Sequence, residues 1–103
     1  MGYCADVYGT IVAKSEDAAM KVKEVLDDIQ EWDYFVFDSV NFEVSTYERY
    51  HEDAYHELFK RIKDYVSYFA FECYGDDHAL WGFFSDETAP DGFVEKEGRV
   101  VYE

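Results

Sequence analysis

The chain opens with a segment in which two kinds of residue alternate. From Tyr3 to Ala13, one phase is mostly small and apolar, and the positions between are more polar. The first phase holds Tyr3, Ala5, Val7, Gly9 and Ile11, and the second holds Cys4, Asp6, Tyr8 and Thr10. A period of two is typical of a strand with two different faces, so we predict a β-strand here.

Two later segments place their apolar residues at helical spacing. The first begins after Ser15, which can cap a helix, and extends to about Glu31. The second extends from about Glu52 to Val66. The apolar positions are Ala18, Val22, Val25, Leu26 and Ile29 in the first helix and Tyr55, Leu58, Phe59, Ile62, Tyr65 and Val66 in the second.

A second strand pattern covers Tyr34 to Tyr47, and its phase changes midway. Phe35 and Phe37 occupy one phase, whereas the later apolar positions occupy the other. These later positions are Val40, Phe42, Val44 and Thr46. A bulge or a short break at Asp38-Ser39 would reconcile the two phases within one strand.

The most aromatic part of the chain predicts a β-hairpin. The runs Tyr68–Tyr74 and Leu80–Phe84 flank a turn at Gly75-Asp76-Asp77, which places carboxylates at both ends of the hairpin. After a turn at Pro90-Asp91-Gly92, a short closing hairpin is expected. Its strands are Phe93–Lys96 and Arg99–Tyr102.

These elements predict one α+β domain over residues 1–103, in the order β-α-β-α-β-β with a C-terminal β-ribbon. Right-handed crossovers place both helices on one face of a mainly antiparallel sheet, as in a ferredoxin-like or related fold. The other face should carry tyrosines and acids. Examples are Tyr8, Glu43, Tyr47, Glu72 and Tyr74.

The charge changes the picture most, because the formal net charge is −15. Two stretches, Lys23 to Arg49 and Lys63 to Lys96, each hold eight acids and no base between their ends. Direct binding to nucleic acid or to an anionic membrane is disfavoured, since both are polyanions. A basic protein surface or a metal cation is the partner that this charge favours.

The sequence has neither a run of eighteen apolar residues nor a basic and then apolar N-terminal signal. We therefore expect no membrane association and a cytoplasmic protein. Cys4 and Cys73 lack CxxC spacing and are expected as small buried hydrophobes in a reducing compartment.

Catalytic and metal motifs fail on spacing. His51 and His56 are five residues apart, whereas HExxH needs four, so the two histidines do not share a helical face. Asp76 and Asp77 are adjacent and do not fit a calcium loop. GxGxxG, GxxxxGK[ST] and GxSxG are absent. We predict a protein that is not an enzyme and has no cofactor and no metal site.

Two resemblances add a functional class. The C-terminal third, with Gly75-Asp76-Asp77, an aromatic strand, Asp91-Gly92 and Gly98-Arg99-Val100-Val101-Tyr102, is similar to the ends of small phage- and plasmid-encoded ferredoxin-like proteins. The whole chain, short, acidic, aromatic and without catalytic motifs, resembles phage anti-defence proteins of the anti-CRISPR and anti-restriction type. That resemblance implies DNA mimicry, in which carboxylates occupy the places of phosphates on a nucleic-acid-binding enzyme.

The resulting hypothesis is a stoichiometric inhibitor, monomeric or homodimeric, of a basic nucleic-acid-binding protein or effector complex. The class has no residue-by-residue motif, so the candidate contacts come from the acidic stretches themselves. They are Asp27, Asp28, Glu31, Asp33, Glu43, Glu72, Tyr74, Asp76, Asp77, Asp86, Glu87 and Asp91. The alternatives are a divalent-metal-binding or small-ligand-binding domain that uses the hairpin carboxylates, and an antitoxin-like adaptor module.

Overall fold

The computed structural model describes residues 4–97, which form six strands and two helices. In chain order the elements are β1 (Cys4–Ala13), α1 (Glu16–Ile29), β2 (Tyr34–Asp38), β3 (Asn41–Arg49), α2 (Glu52–Ile62), β4 (Val66–Gly75), β5 (Leu80–Ser85) and β6 (Phe93–Glu97). The predicted α+β class is confirmed. None of the helices in this part of the chain is long and apolar enough to cross a membrane.

The six strands form one antiparallel sheet in the order β2-β3-β1-β4-β5-β6. Strand β1 lies inside the sheet and pairs with both β3 and β4. At its middle, Gly9 lies opposite Phe71 of β4, and a Cβ atom on residue 9 would stand 2.4 Å from the phenyl ring. Glycine at this position therefore lets the ring of Phe71 lie over the central strand.

The predicted element order is wrong in one place, because the segment from Tyr34 to Tyr47 forms two strands instead of one. The chain reverses between Asp38 and Asn41, and Ser39 has a φ of 58°. In this hairpin Phe37 lies opposite Phe42, so odd-numbered residues of β2 share a face with even-numbered residues of β3. The change of phase in the sequence marks a chain reversal. Of the two predicted explanations, a bulge or a short break at Asp38-Ser39, the structure shows a break, because β2 ends at Asp38.

Both helices end earlier than predicted. The side chain of Ser15 accepts a hydrogen bond from the Ala18 N–H at 3.1 Å, as expected for the first helix, but α1 ends at Ile29. Helix α2 ends at Ile62, and a hydrogen bond from the Tyr65 N–H to the Ile62 carbonyl closes a turn. Val66 consequently belongs to the sheet, where it pairs with Ala13.

The core lies between the sheet and the helices, which pack on the same face, as predicted. The ring of Phe59 in α2 lies 4.8 Å from Phe69, 5.1 Å from Phe71 and 5.2 Å from Phe83, measured between centroids. Helix α1 adds its buried residues to the same cluster. These are Ala19, Val22, Val25 and Leu26.

The C-terminal part of the sheet agrees with the predicted turns. Asp76 to Ala79 connects β4 to β5, and Gly92, with a φ of 87°, ends the loop before β6. Strand β6 pairs with β5 and is the last strand in the sheet among those described. The predicted closing strand Arg99–Tyr102, and with it the second half of the C-terminal ribbon, lies outside the described residues.

Candidate protein-binding surface

The face of the sheet opposite the helices is not covered by any described element, and we call it the open face. Five of the six large hydrophobic side chains that the described chain exposes lie there. They are Tyr8, Tyr34 and Tyr47, each 51% exposed, Tyr68 at 47% and Val36 at 42%. Alternation along the strands forces this arrangement, because every core residue of a strand has neighbours that point away from the core.

Strand register places tyrosines and acids side by side on the open face. One row runs across the sheet as Tyr34, Ser45, Tyr8, Glu72, Gly82 and Lys96. The next row contains Val36, Glu43, Thr10, Ala70, Phe84 and Val94. The prediction that this face carries Tyr8, Glu43, Tyr47, Glu72 and Tyr74 is confirmed.

Hydrogen bonds and ring contacts orient the open-face tyrosines. The Tyr74 hydroxyl donates to Glu72 Oε1 at 3.2 Å, and its ring meets that of Tyr8 edge-on at 5.8 Å. The Tyr47 hydroxyl donates to Asp76 Oδ1 at 2.9 Å. This hydrogen bond, together with the charge of Asp76, raises the pKa of the Tyr47 phenol. Tyr8, Tyr47 and Tyr74 are thus held in place before any partner binds, which lowers the entropy cost of binding.

Both sides of the molecule carry an excess of acids. Strand parity places Asp6, Asp38, Glu43 and Glu72 on the open face, with Asp76 at its margin. Lys96 also lies there, and its Nζ lies 5.7 Å from the centroid of the Phe84 ring. The two helices on the other side hold eight acids and four bases. The bases are Lys21, Lys23, Lys60 and Arg61.

The candidate acids of α1 lie on the helical layer, away from the open face. Asp27 pairs with Lys23 at 3.1 Å, and Asp28 pairs with Arg61 at 2.7 Å. Glu31 is exposed in the loop that follows α1. The structure therefore does not bring these three acids together with Glu43 and Glu72.

Asp33 makes contacts that hold a loop in place. Its Oδ2 accepts a hydrogen bond from the Tyr47 N–H at 2.9 Å and another from the Thr46 hydroxyl at 3.3 Å. Thr46 is buried, so these bonds fasten the loop before β2 to the inner side of β3. Buried polar groups in proteins usually have hydrogen-bond partners, and Asp33 provides one here for the Thr46 hydroxyl.

The five hairpin carboxylates occupy two places that lie far apart. Asp76 and Asp77 lie in the turn between β4 and β5, whereas Asp86, Glu87 and Asp91 lie in the loop between β5 and β6. The six-residue strand β5 separates the two groups by roughly 17 Å. The prediction of carboxylates at both ends of the hairpin is confirmed, and the separation means that the two groups do not form one ligand set.

Asp77 and Asp86 also stabilise their own turns. Asp77 accepts a hydrogen bond from the Ala79 N–H at 3.2 Å. Asp86 accepts from the Thr88 hydroxyl at 2.6 Å and from the Thr88 N–H at 2.9 Å, and these bonds lower the pKa of Asp86. Turns in which an Asp side chain binds the backbone two residues later are common.

An open groove of about 910 Å³ lies beside the second group of hairpin acids. Asp86 and Glu87 line one part of it, and Lys14 and Lys63 line another. The groove is therefore mixed in charge, unlike the open face.

A cluster that the sequence analysis did not find joins α2 to β6. Glu52, His56 and Glu95 each place one ligand atom within 4.8 Å of the others. Partial desolvation and the charges of Glu52 and Glu97 raise the pKa of Glu95. The sequence analysis tested only the spacing of His51 and His56, and this test could not reveal the cluster. The signal that the sequence does contain is the i, i+4 spacing of Glu52 and His56, which places both on one helical face.

Comparison with protein-family models, with curated proteins and with solved structures finds no match to this chain. No relative therefore supplies a function for the open face, and a functional proposal depends on its shape, charge and chemistry.

Proposed function

We propose that this protein is a stoichiometric inhibitor that binds the basic nucleic-acid groove of a partner protein or effector complex through its open face. The observation that carries the proposal is a sheet face, uncovered by any described element, on which tyrosines alternate with carboxylates. Anti-CRISPR or anti-restriction activity in the cytoplasm of a host cell is the function of this kind that we infer. In this role the protein performs no catalysis.

The charges of the open face suit a groove lined with lysine and arginine. Asp6, Glu43 and Glu72 lie on the three central strands β1, β3 and β4. Strands about 4.8 Å apart and a rise of about 3.3 Å per residue spread these carboxylates over roughly 10 Å across the sheet and roughly 13 Å along it, so they can meet several cations at once. Long-range attraction between an acidic and a basic surface also speeds encounter.

The tyrosines supply the contacts that charge alone does not provide. Tyr47 and Tyr74 combine apolar ring area with hydroxyl groups that are already oriented, and the ring of Tyr8 packs against that of Tyr74. Aromatic residues are enriched in the desolvated centres of protein interfaces, where they contribute much of the binding free energy. We therefore infer that acids attract the partner and tyrosines hold it.

We further propose that the domain is an extended ferredoxin-like fold. The elements from β1 to β4 follow the order β-α-β-β-α-β, and their strands are arranged as β2-β3-β1-β4. Strands β5 and β6 continue the sheet beyond β4 and so widen the open face. A broad flat sheet face suits a partner larger than a small ligand.

The experiment begins with capture of the partner by the tagged protein from host lysate, followed by a competition between this protein and DNA for the purified partner. We expect the protein and DNA to exclude each other, and we expect binding to weaken as salt rises. A ternary complex with DNA would contradict mimicry and would favour the adaptor alternative.

Two variants with equal charge changes locate the surface. The open-face variant combines Asp6→Asn, Glu43→Gln and Glu72→Gln, and the helical-layer variant combines Asp27→Asn, Asp28→Asn and Glu57→Gln. Because each acid replaces one contact in a solvated groove, single changes should weaken binding little, and the open-face variant should weaken it by more than about tenfold. Equal losses in both variants would show that net charge, and not the open face, determines binding.

A further inference from the structure

We propose that Glu52, His56 and Glu95 form a binding site for one divalent cation of the Zn²⁺ class, which joins α2 to β6. The site is independent of the open face, because all three residues lie on the helical side of the sheet. Glu52 and His56 are one turn apart in α2, and Glu95 lies opposite Phe83, a core residue of β5.

The ligand atoms are already close to one another. An imidazole nitrogen of His56 and one carboxylate oxygen from each glutamate lie within 4.8 Å of one another. Ligands of a zinc ion stand about 2.0–2.2 Å from the metal, so the three atoms must converge further. Glu52 and Glu95 are exposed and their side chains can move, whereas His56 is half-buried and serves as the anchor.

The imidazole of His56 provides a second and independent observation. Its Nε2 atom is buried and has no hydrogen-bond partner among the described residues. Glu52 Oε2 lies 3.4 Å from this nitrogen, which is an ion-pair distance without the geometry of a hydrogen bond. A buried polar atom without a partner is unfavourable, and a metal ion bound at Nε2 would satisfy it.

Aromatic rings hold the imidazole in this orientation. The His56 ring meets Phe83 nearly edge-on at 5.6 Å and lies 5.4 Å from Phe93. Both phenyl groups belong to the strands beneath α2, so rotation of the imidazole would disturb their packing. A ligand that is oriented in advance pays little entropy when a metal binds.

The local charges also favour a cation. Burial and the negative charges of Glu52 and Glu97 disfavour the charged form of Glu95, whereas His56 acts in the opposite direction, and a bound cation would relieve the repulsion between the carboxylates. An imidazole nitrogen with two carboxylate oxygens is a donor set suited to zinc and neighbouring transition metals, whereas magnesium and calcium prefer oxygen ligands alone. Three protein ligands leave a further position for water.

Such a metal would reinforce an edge of the sheet. Within the described residues β6 pairs with β5 alone, and Glu95 is near its middle. A bond through the metal to α2 would oppose opening of this strand, since a ligand that binds only the closed form stabilises it.

The test uses untagged, full-length protein from which metals have been removed with a chelator. Isothermal titration calorimetry with ZnCl₂ should show one saturable site, and MgCl₂ should not compete for it. Glu52→Gln and Glu95→Gln should each weaken zinc binding by at least about tenfold. Both replaced side chains are exposed, so these variants should fold.

Matched controls separate this site from other acids and histidines. Glu57→Gln, Glu97→Gln, His51→Gln and His78→Gln should leave zinc affinity unchanged. In the wild type, the nuclear magnetic resonance signal of the His56 Nε2 should shift on addition of zinc. Absence of a saturable zinc site, or zinc binding that survives both Glu52→Gln and Glu95→Gln, would overturn the proposal.

Discussion

At the scale of single residues, the position of a side chain relative to the sheet decides its chemistry. Neighbours along β4 illustrate this, because Glu72 lies on the open face whereas Cys73 is 1% exposed in the core. Burial raises the pKa of the Cys73 thiol to about 12, and the charges of Glu95 and Glu72 act in the same direction. A thiol with such a pKa is almost fully protonated near neutral pH and therefore unreactive.

We predict that Cys73 in the native protein does not react with Ellman's reagent at pH 8, whereas the half-buried Cys4 does. Each of the variants Cys4→Ser and Cys73→Ser retains one thiol, so the two variants show which thiol reacts at which rate. Unfolding in urea should make both thiols react. Since the thiolate is the reactive form, the native rate for Cys73 should also rise with pH. Reaction of native Cys73 at the rate of the unfolded chain would contradict its burial.

Residue chemistry was only partly predictable from the sequence. Ser15 was predicted as an N-cap, because the preference for Ser at that position depends on local backbone bonds. The roles of Asp33 and Asp86 as hydrogen-bond acceptors were not predicted. Asp33 bonds to β3, and its partner there depends on how the chain folds back. Charge alone had assigned both to a binding surface.

At the scale of elements, the apolar stripe of α2 is the feature that the sequence determines best. Tyr55, Leu58, Phe59 and Ile62 are all buried, as their spacing predicts. The end of the helix was not predictable from spacing, because Val66 also continues the pattern. Its pairing with Ala13 of β1 makes it a strand residue, and this contact is remote in sequence.

We predict that Leu58→Ala or Ile62→Ala lowers the free energy of unfolding by about 2–5 kcal/mol, because each removes a fully buried side chain and leaves a cavity. Glu57→Gln is the matched control on the exposed side of the same helix and should cost less than about 0.5 kcal/mol. Urea denaturation monitored by circular dichroism measures all three variants. Equal effects at positions 57 and 58 would show that the helical phase is wrong.

The sequence analysis did not predict the hairpin of β2 and β3, and the reason lies in the residues of its turn. Its turn lacks the Asn-Gly or Asp-Gly pair that usually marks a tight reversal. The structure supports the turn through distant partners instead. The Ser39 hydroxyl donates to Glu16 at 3.1 Å, and the Val40 carbonyl accepts from the Ala13 N–H at 2.8 Å.

At the scale of the whole molecule, the acids of the two sides differ in how they are paired with bases. Some acids of the helical layer form ion pairs, such as Lys23–Asp27 and Arg61–Asp28. On the open face the described acids outnumber the bases, and Glu43 and Glu72 flank β1 at roughly 12 Å from each other. Repulsion over that distance matters at low salt, where the screening length exceeds about 10 Å. The alternation of residues predicted which acids share this face, but only the register showed which of them are neighbours.

We therefore predict that the open-face variant, with Asp6→Asn, Glu43→Gln and Glu72→Gln, melts a few degrees higher than the wild type at low salt. The gain should shrink as NaCl is added, because screening already removes the repulsion in the wild type. The helical-layer variant, with Asp27→Asn, Asp28→Asn and Glu57→Gln, loses two ion pairs and should show no comparable gain, although its net charge changes equally. Differential scanning calorimetry over a range of NaCl concentrations measures both. Equal increases in melting temperature would mean that the molecule responds to total charge alone. A lower melting temperature of the open-face variant would mean that these carboxylates stabilise the fold, which would contradict the idea that they destabilise it and serve binding.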